Sequence, residues 1–350
     1  MNTTRKLLYA LTLSMCALCA SFSSQAGTAT SSITPAEHVR TEDQTLLTFA
    51  EWYMVFSPAE YATYIKDRAP SEFPFLGHIG QLWGGYKATF LETQRRNMAL
   101  NLGYHLMDSV LATSTSVEYG LRSLYENLIG RISETASGID TPEDRYAAEV
   151  AQDYVDFIRV LPFYQYNFYK KLKGLWSEVP ATGPHMLRKW ERRYALTTEL
   201  GIKTVYGYLI KIATGSIYDP ALLVTAVHVI PTPQAQSTLP DLKVLTQQLD
   251  GSALITVPRY EAFMLYANAL AQQGSNFKTI AGNDGMILIT LISAQDWTPQ
   301  RGIEKVLFEQ PILTVPGTKR IAVLAKVPEL GASLRDWAQL KVQIEHIFDY

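Results

Sequence analysis

The rhythm of apolar residues changes once, near Tyr218, and that change constrains the fold more than any other feature. From Thr41 to Tyr218 apolar residues recur at three- and four-residue spacing, the period of helices that bury one face. Beyond it come short apolar runs punctuated by Pro, Gly and Asn, the grammar of strands and turns. Segregated helices and strands predict an α+β fold: a helical domain of six or seven helices over 41–218, then a mixed-sheet α+β domain over 219–350.

Local signals sharpen this reading. "TEDQ" (41–44) and "SPAE" (57–60) have the form of capping boxes, with Thr41 and Ser57 as caps and Pro58 at a first helical position; "TPED" (141–144) repeats the device. Val117, Leu121, Leu124, Leu128 and Ile132 form a stripe that predicts a helix burying that face. In the second half "ALLVTAVHVI" and "ALITVP" read as strands and "RYEAFMLYANALAQQG" as a helix. "FKTIAGNDGMILITLIS" predicts a hairpin at Asn283-Asp284-Gly285, and a second hairpin turns at Pro316-Gly317. "ELGASLRDWAQL" is a helix and "KVQIEHIFDY" a closing strand. Five or more strands with two or three helices are compatible with a ferredoxin-like layer. No internal repeat is visible.

The chain opens with Arg5 and Lys6, an apolar run from Leu7 to Phe22, and small residues at Ser24 and Ala26. This is a secretory signal pattern with cleavage between Ala26 and Gly27, followed by a flexible 27–40. The run falls short of the ~20 residues that span a bilayer, so cleavage is the expectation and an uncleaved membrane anchor the alternative. Export places the protein in the periplasm or outside the cell. Both cysteines, Cys16 and Cys19, fall inside the signal. A mature chain of this size stands on its core without disulfides, and thiol catalysis, Cys-ligated zinc and iron–sulfur clusters are excluded from it.

Without Arg5 and Lys6 the balance is 29 basic against 33 acidic residues, net −4, which argues against nucleic acid. No later run has transmembrane length, since "ALTTELGIKTVYGYLIKI" carries Glu199, Lys203 and Lys211. The six histidines show no metal-binding spacing, and nucleophile-elbow and phosphate-loop motifs are missing, so neither metal nor cofactor is expected. Ser275-x-x-Lys278 enters a strand instead of starting a helix and is set aside. His78 and His105 can meet across two helices and, with a carboxylate, would serve a hydrolase or lyase without a familiar motif. Glu149, Asp153 and Asp156 share one helix face, opposite apolar neighbours, and are expected in water.

Two basic and aromatic clusters carry the remaining expectation. "GPHMLRKWERRYAL" sets Arg188 and Arg192 one turn apart, and Lys189 and Arg193 likewise, against Glu191 alone. Their counter-charge is either internal, with the Glu149–Asp156 stripe as candidate, or an anionic ligand. "RVLPFYQYNFYKKLKGLW" (159–176) joins rings to lysines, as interfacial segments do. Read as one helix, its rings point all round, which favours core packing. The expected function is non-enzymatic: binding an apolar or amphipathic anionic ligand, anionic lipid included, or an envelope partner. Lys170, Lys171, Lys173, Trp176, Arg188 and Arg192 form the expected binding set. A structural or assembly role through an exposed sheet edge is the further alternative.

Overall fold

The computed structural model describes residues 33–215, 222–231, 239–299, 303–340 and 342–350. The proposed signal peptide and both cysteines lie outside them. Eight α-helices come first: α1 (Gln44–Leu47), α2 (Phe49–Tyr64), α3 (Phe75–Arg95), α4 (Leu102–Tyr125), α5 (Arg131–Ser137), α6 (Pro142–Ile158), α7 (Phe168–Ser177) and α8 (Met186–Gly215). This exceeds the expected six or seven, because α1 is a single turn and a π-turn at Glu126–Gly130 separates α4 from α5.

The capping expectations divide. Thr141 and Asp144 make the reciprocal bonds of a capping box at the start of α6. Thr41 caps nothing, and Ser57-Pro58 lies inside α2, where the Ser57 hydroxyl bonds neighbouring side chains.

Two four-stranded antiparallel sheets follow, with orders β2-β3-β1-β4 and β6-β7-β5-β8. The strands are β1 (Val224–Ile230), β2 (Lys243–Gln247), β3 (Ala253–Pro258), β4 (Asn276–Ile280), β5 (Met286–Ala294), β6 (Lys305–Pro311), β7 (Thr318–Lys326) and β8 (Gln343–Ile347). Helix α9 (Glu261–Gln272) links β3 to β4, and α10 (Val327–Gln339) links β7 to β8.

The two halves of this domain are one unit used twice, β-β-β-α-β with the same strand order. Val227 opposite Ile255 corresponds to Ile289 opposite Val323. Even the bulges recur: after His228 and after Thr290, and at Leu245 and Leu307. The chain therefore has an internal repeat that its sequence conceals. A ferredoxin-like layer would alternate β-α-β-β-α-β in one sheet; here each unit shows only the second of those helices among the described residues.

The pairing also corrects one hairpin. β4 pairs with β1 and β5 with β7 and β8, so Asn283-Asp284-Gly285 joins two sheets, not two partners. The Pro316-Gly317 turn does join paired strands, β6 and β7. An unread hairpin joins β2 to β3 through Asp250-Gly251, with Gly251 at φ +78°.

Helices α9 and α10 pack together, and each touches both sheets. One core is thus shared by Val227, Val229 and Ile255 of the first sheet, Ile289, Leu291 and Val323 of the second, and Phe263, Leu334 and Trp337 of the helices. The second sheet is buried on its other face as well. There Met286, Leu288, Leu324 and Phe348 meet Leu46, Phe49, Tyr53 and Leu82 of the helical half. This double burial explains why β5 reads "MILITLIS" without alternation. Thr45 pins the junction, its Oγ1 accepting from Leu288 N at 2.9 Å and donating to Phe348 O at 2.8 Å.

Candidate functional face

Helix α8 is turned inside out. Seven charged residues lie between Met186 and Ile210, and none is exposed. The Arg188 guanidinium donates to Asp144 at 2.7 Å and to Glu191 at 3.1 Å. Arg192 grips Glu126 with two bonds of 2.8 and 2.9 Å and also meets Glu191. Lys189 and Arg193 share Glu143, at 3.1 and 2.7 Å. Further along, Arg122 meets Glu199 at 3.1 Å, and Lys203 meets Glu118 at 2.9 Å. From Lys203 to Arg188 the contacts run antiparallel along α4, the π-turn and α5, where Glu134 also faces Arg188 at 3.6 Å. Glu143 and Asp144 at the start of α6 complete this ionic seam between two helical rods. Gly130 leaves room for it, because a Cβ there would strike Glu126 and crowd Arg192.

The carboxylates of this seam are Glu118, Glu126, Glu134, Glu143, Asp144, Glu191 and Glu199, not the expected stripe. Glu149, Asp153 and Asp156 stand in water, although Asp153 accepts from the Tyr166 hydroxyl and pairs with Lys171 at 2.8 Å. These bonds hold the Asp153 carboxyl below the usual range against the opposing effect of its partial burial.

What α8 shows outward is apolar. Leu187, Trp190, Tyr194, Ile202, Val205, Tyr208 and Leu209 are all exposed, and Thr198 is the sole small polar residue among them. On the neighbouring rod the stripe expected in the core faces out too, with Val117 56 %, Leu121 63 %, Leu124 58 %, Leu128 59 % and Ile132 64 % exposed. The correction has a plain cause. Residues about 200° round α4, Ala112 and Tyr119, fill the interior, and the seam occupies the flank between. Tyr125 and Tyr194 meet across the seam at 6.3 Å, joining the two stripes into one face. Gly201, Ile202, Val205, Tyr206 and Leu209 line a shallow apolar trough on it.

One edge of the face is α7. The stretch 159–176 is not one helix: a 3-10 turn covers Phe163–Gln165, and α7 starts at Phe168 behind an Asn167 cap. Tyr166 and Phe168 enter the core, while Tyr169, Lys170, Lys173 and Trp176 face out. Trp176 lies 6.2 Å from Trp190, so α7 adjoins α8. Of the expected binding set, Lys170, Lys173 and Trp176 therefore share a surface. Lys171 is half-buried on Asp153, and Arg188 and Arg192 are fully enclosed by internal carboxylates.

The histidines do not meet. His78 on α3 lies beside Tyr119 of α4, whereas His105 of α4 lies beside Tyr86 of α3, 3.1 Å from its hydroxyl. Around His78 the polar groups do converge. Ser57 Oγ is 3.0 Å from Nδ1, Tyr53 Oη 3.2 Å from the same atom, and Glu60 3.7 Å from Nε2. Arg320 of β7 binds Glu60 at 3.0 Å and Glu345 at 2.6 Å. Burial, with the Arg320 charge, pushes His78 down to about 3, so it is neutral at physiological pH. Phe73 stacks on its ring, and Ser57 and His78 are each 1 % exposed. Among the described residues no cluster of three or more His, Cys, Asp or Glu could hold a metal ion. No described helix is long and apolar enough to cross a membrane.

No family model, curated protein or solved structure matches the chain.

Proposed function

We propose that the chain is an exported, non-enzymatic binding protein of the cell envelope, docking an apolar or amphipathic anionic ligand, or a partner with such a surface, through the α4–α8 face. The observation that carries this reading is the inversion of α8: its charges are consumed internally while its large apolar side chains face outward. Water rewards the opposite arrangement. Export to the periplasm or beyond rests on the N-terminal signal pattern, with Ala26-Gly27 as the cleavage point.

Oleate, an amphipathic anion, tests the reading. Titrated into the chain, it is expected to shift the emission of Trp176 and Trp190. Leu121→Asp with Val205→Asp should weaken the binding by tenfold or more, at roughly the loss of ~0.8 kcal/mol per buried methylene. Tight binding that ignores both substitutions would refute the assignment of the face.

A hydrolase is the second reading, favoured by His78 lying 3.0 Å from the Ser57 hydroxyl through Nδ1 and 3.7 Å from Glu60 through Nε2. Its difficulty is access, because Ser57 and His78 are both buried, the hydroxyl bonded to Tyr119 and the imidazole covered by Phe73.

A further inference from the structure

We infer that the α4–α8 face is a bilayer-docking surface, on which the protein lies with α8 in the membrane plane. This rests on the binding-face reading above and names its partner.

Three observations favour lipid over a protein surface. The first is area. A dozen large side chains on α4, α5 and α8 each expose about half or more of their surface. Together they present on the order of 1,000 Å² of apolar surface, where the largest patch of a typical monomer is ~300–600 Å². The second is the poverty of directional groups. On α8 between Leu187 and Leu209 only Thr198 interrupts the exposed apolar residues, the exposed Lys211 lying just beyond them, and on the α4–α5 side from Val117 to Ile132 the exposed polar residues are Asn127 and Arg131. A protein interface of this size carries about ten hydrogen bonds, whereas hydrocarbon requires none. The third is the rim. Tyr169, Trp176 and Trp190 stand beside Lys170 and Lys173, combining amphipathic rings with ammonium groups as headgroup-level belts do.

The face runs from Leu187 to Leu209, about 33 Å along the helix at 1.5 Å per residue. The ionic seam lies behind it, so inserting the face to the ~5–10 Å depth of interfacial helices leaves those charges in protein. The buried ion pairs and the exposed apolar residues are then two halves of one arrangement.

Vesicle flotation of the full chain, as isolated from the exporting cell, tests this. With phosphatidylcholine vesicles in high salt the protein should float, because insertion is driven by apolar area. Adding phosphatidylserine should raise affinity on the order of tenfold through two lysines near the surface. Leu124→Asp with Val205→Asp should abolish flotation while leaving the circular dichroism and urea midpoint unchanged, since both sites are exposed. This variant keeps the N-terminus, so flotation that persists in it would overturn the inference by assigning the binding elsewhere. Flotation only with anionic lipid in low salt would also overturn it, leaving the α7 lysines as the contact. Absence of flotation together with a dimer that the same substitutions dissociate would replace lipid by a second copy, and the binding-face reading would survive. Absence of flotation, dimer and oleate binding alike would end both.

Discussion

Asp108 is a buried carboxyl of the helical half whose effect on stability can be worked out. It sits on α4, wholly enclosed, and neither carboxylate oxygen has a hydrogen-bond partner. Burial, reinforced by the Glu51 charge, pushes its pKa from 3.8 up to about 9. The folded state therefore holds a proton that the unfolded state releases above pH 4. Across the window from 3.8 to 9, folding stability falls as pH rises, at about 1.36 kcal/mol per unit, and levels off above 9. At pH 7 the cost is on the order of 4 kcal/mol, a large share of the ~5–15 kcal/mol that holds a domain together. Asp108→Asn removes the titration without changing shape. Its amide hydrogens still lack acceptors, but that penalty does not depend on pH. Urea denaturation followed by tryptophan fluorescence, at pH 4.5 and 8.5, measures the difference between variant and parent. The variant should gain roughly 5 kcal/mol on the parent between those two values. An equal difference at both pH values would mean that Asp108 is ionised and stabilised in the folded state, and the reasoning would be wrong.

Two further substitutions test the packing described above. Arg188→Leu leaves Asp144 without its buried cation and takes one of two from Glu191, which keeps Arg192, and should cost about 3–5 kcal/mol of stability, read from the urea midpoint; a loss below ~1 kcal/mol would mean the seam is open to water. Gly331→Ala places a methyl 2.8 Å from Ser275 O, just before β4, and should cost about 1–3 kcal/mol, because a backbone carbonyl cannot rotate away as a side chain can. A neutral result would show that α10 does not pack on the first sheet.

The division into helices and strands was legible because backbone period survives in side-chain pattern. The duplication within the second half was not, and the structure shows why. Residues facing the shared core remain apolar in both units, as with Val227 and Ile289 or Ile255 and Val323. Residues on the opposite faces diverge: Thr256 stands where the second unit has Leu324, and His228 where it has Thr290. It is the second sheet that packs on the helical layer among the described residues, with Leu324 beside Phe49 and its neighbours. Half of each strand thus answers to different surroundings, and the bulges at Leu245 and Leu307 break the alternation within β2 and β6. The short "KVLTQ" of β2 offered a single cue, the Asp250-Gly251 turn that follows it.

The candidate face failed to emerge from sequence for a different reason. Periodicity fixes which residues share a side of a helix; it says nothing of which side is buried. Val117, Leu121 and Leu124 do share a side, as their spacing requires, but assigning that side to the core assumes that water lies opposite. In α8 the opposite side is instead filled by Arg188, Arg192 and Lys203, each matched by a carboxylate from another segment. Enclosing so many ions seldom stabilises a fold relative to apolar packing. The proposed docking face would account for the arrangement, since apolar packing inward would leave charges facing outward instead. The cue was present as a mismatch, four cations against Glu191 in "RKWERR", but its resolution needed Glu126, Glu143 and Asp144, up to 66 residues away in the chain. For Lys170, Lys173 and Trp176 the sequence left core and surface open, because reading 159–176 as one helix hid the break before Asn167 that turns α7 outward; for Arg188 and Arg192 the outcome depends on three other segments.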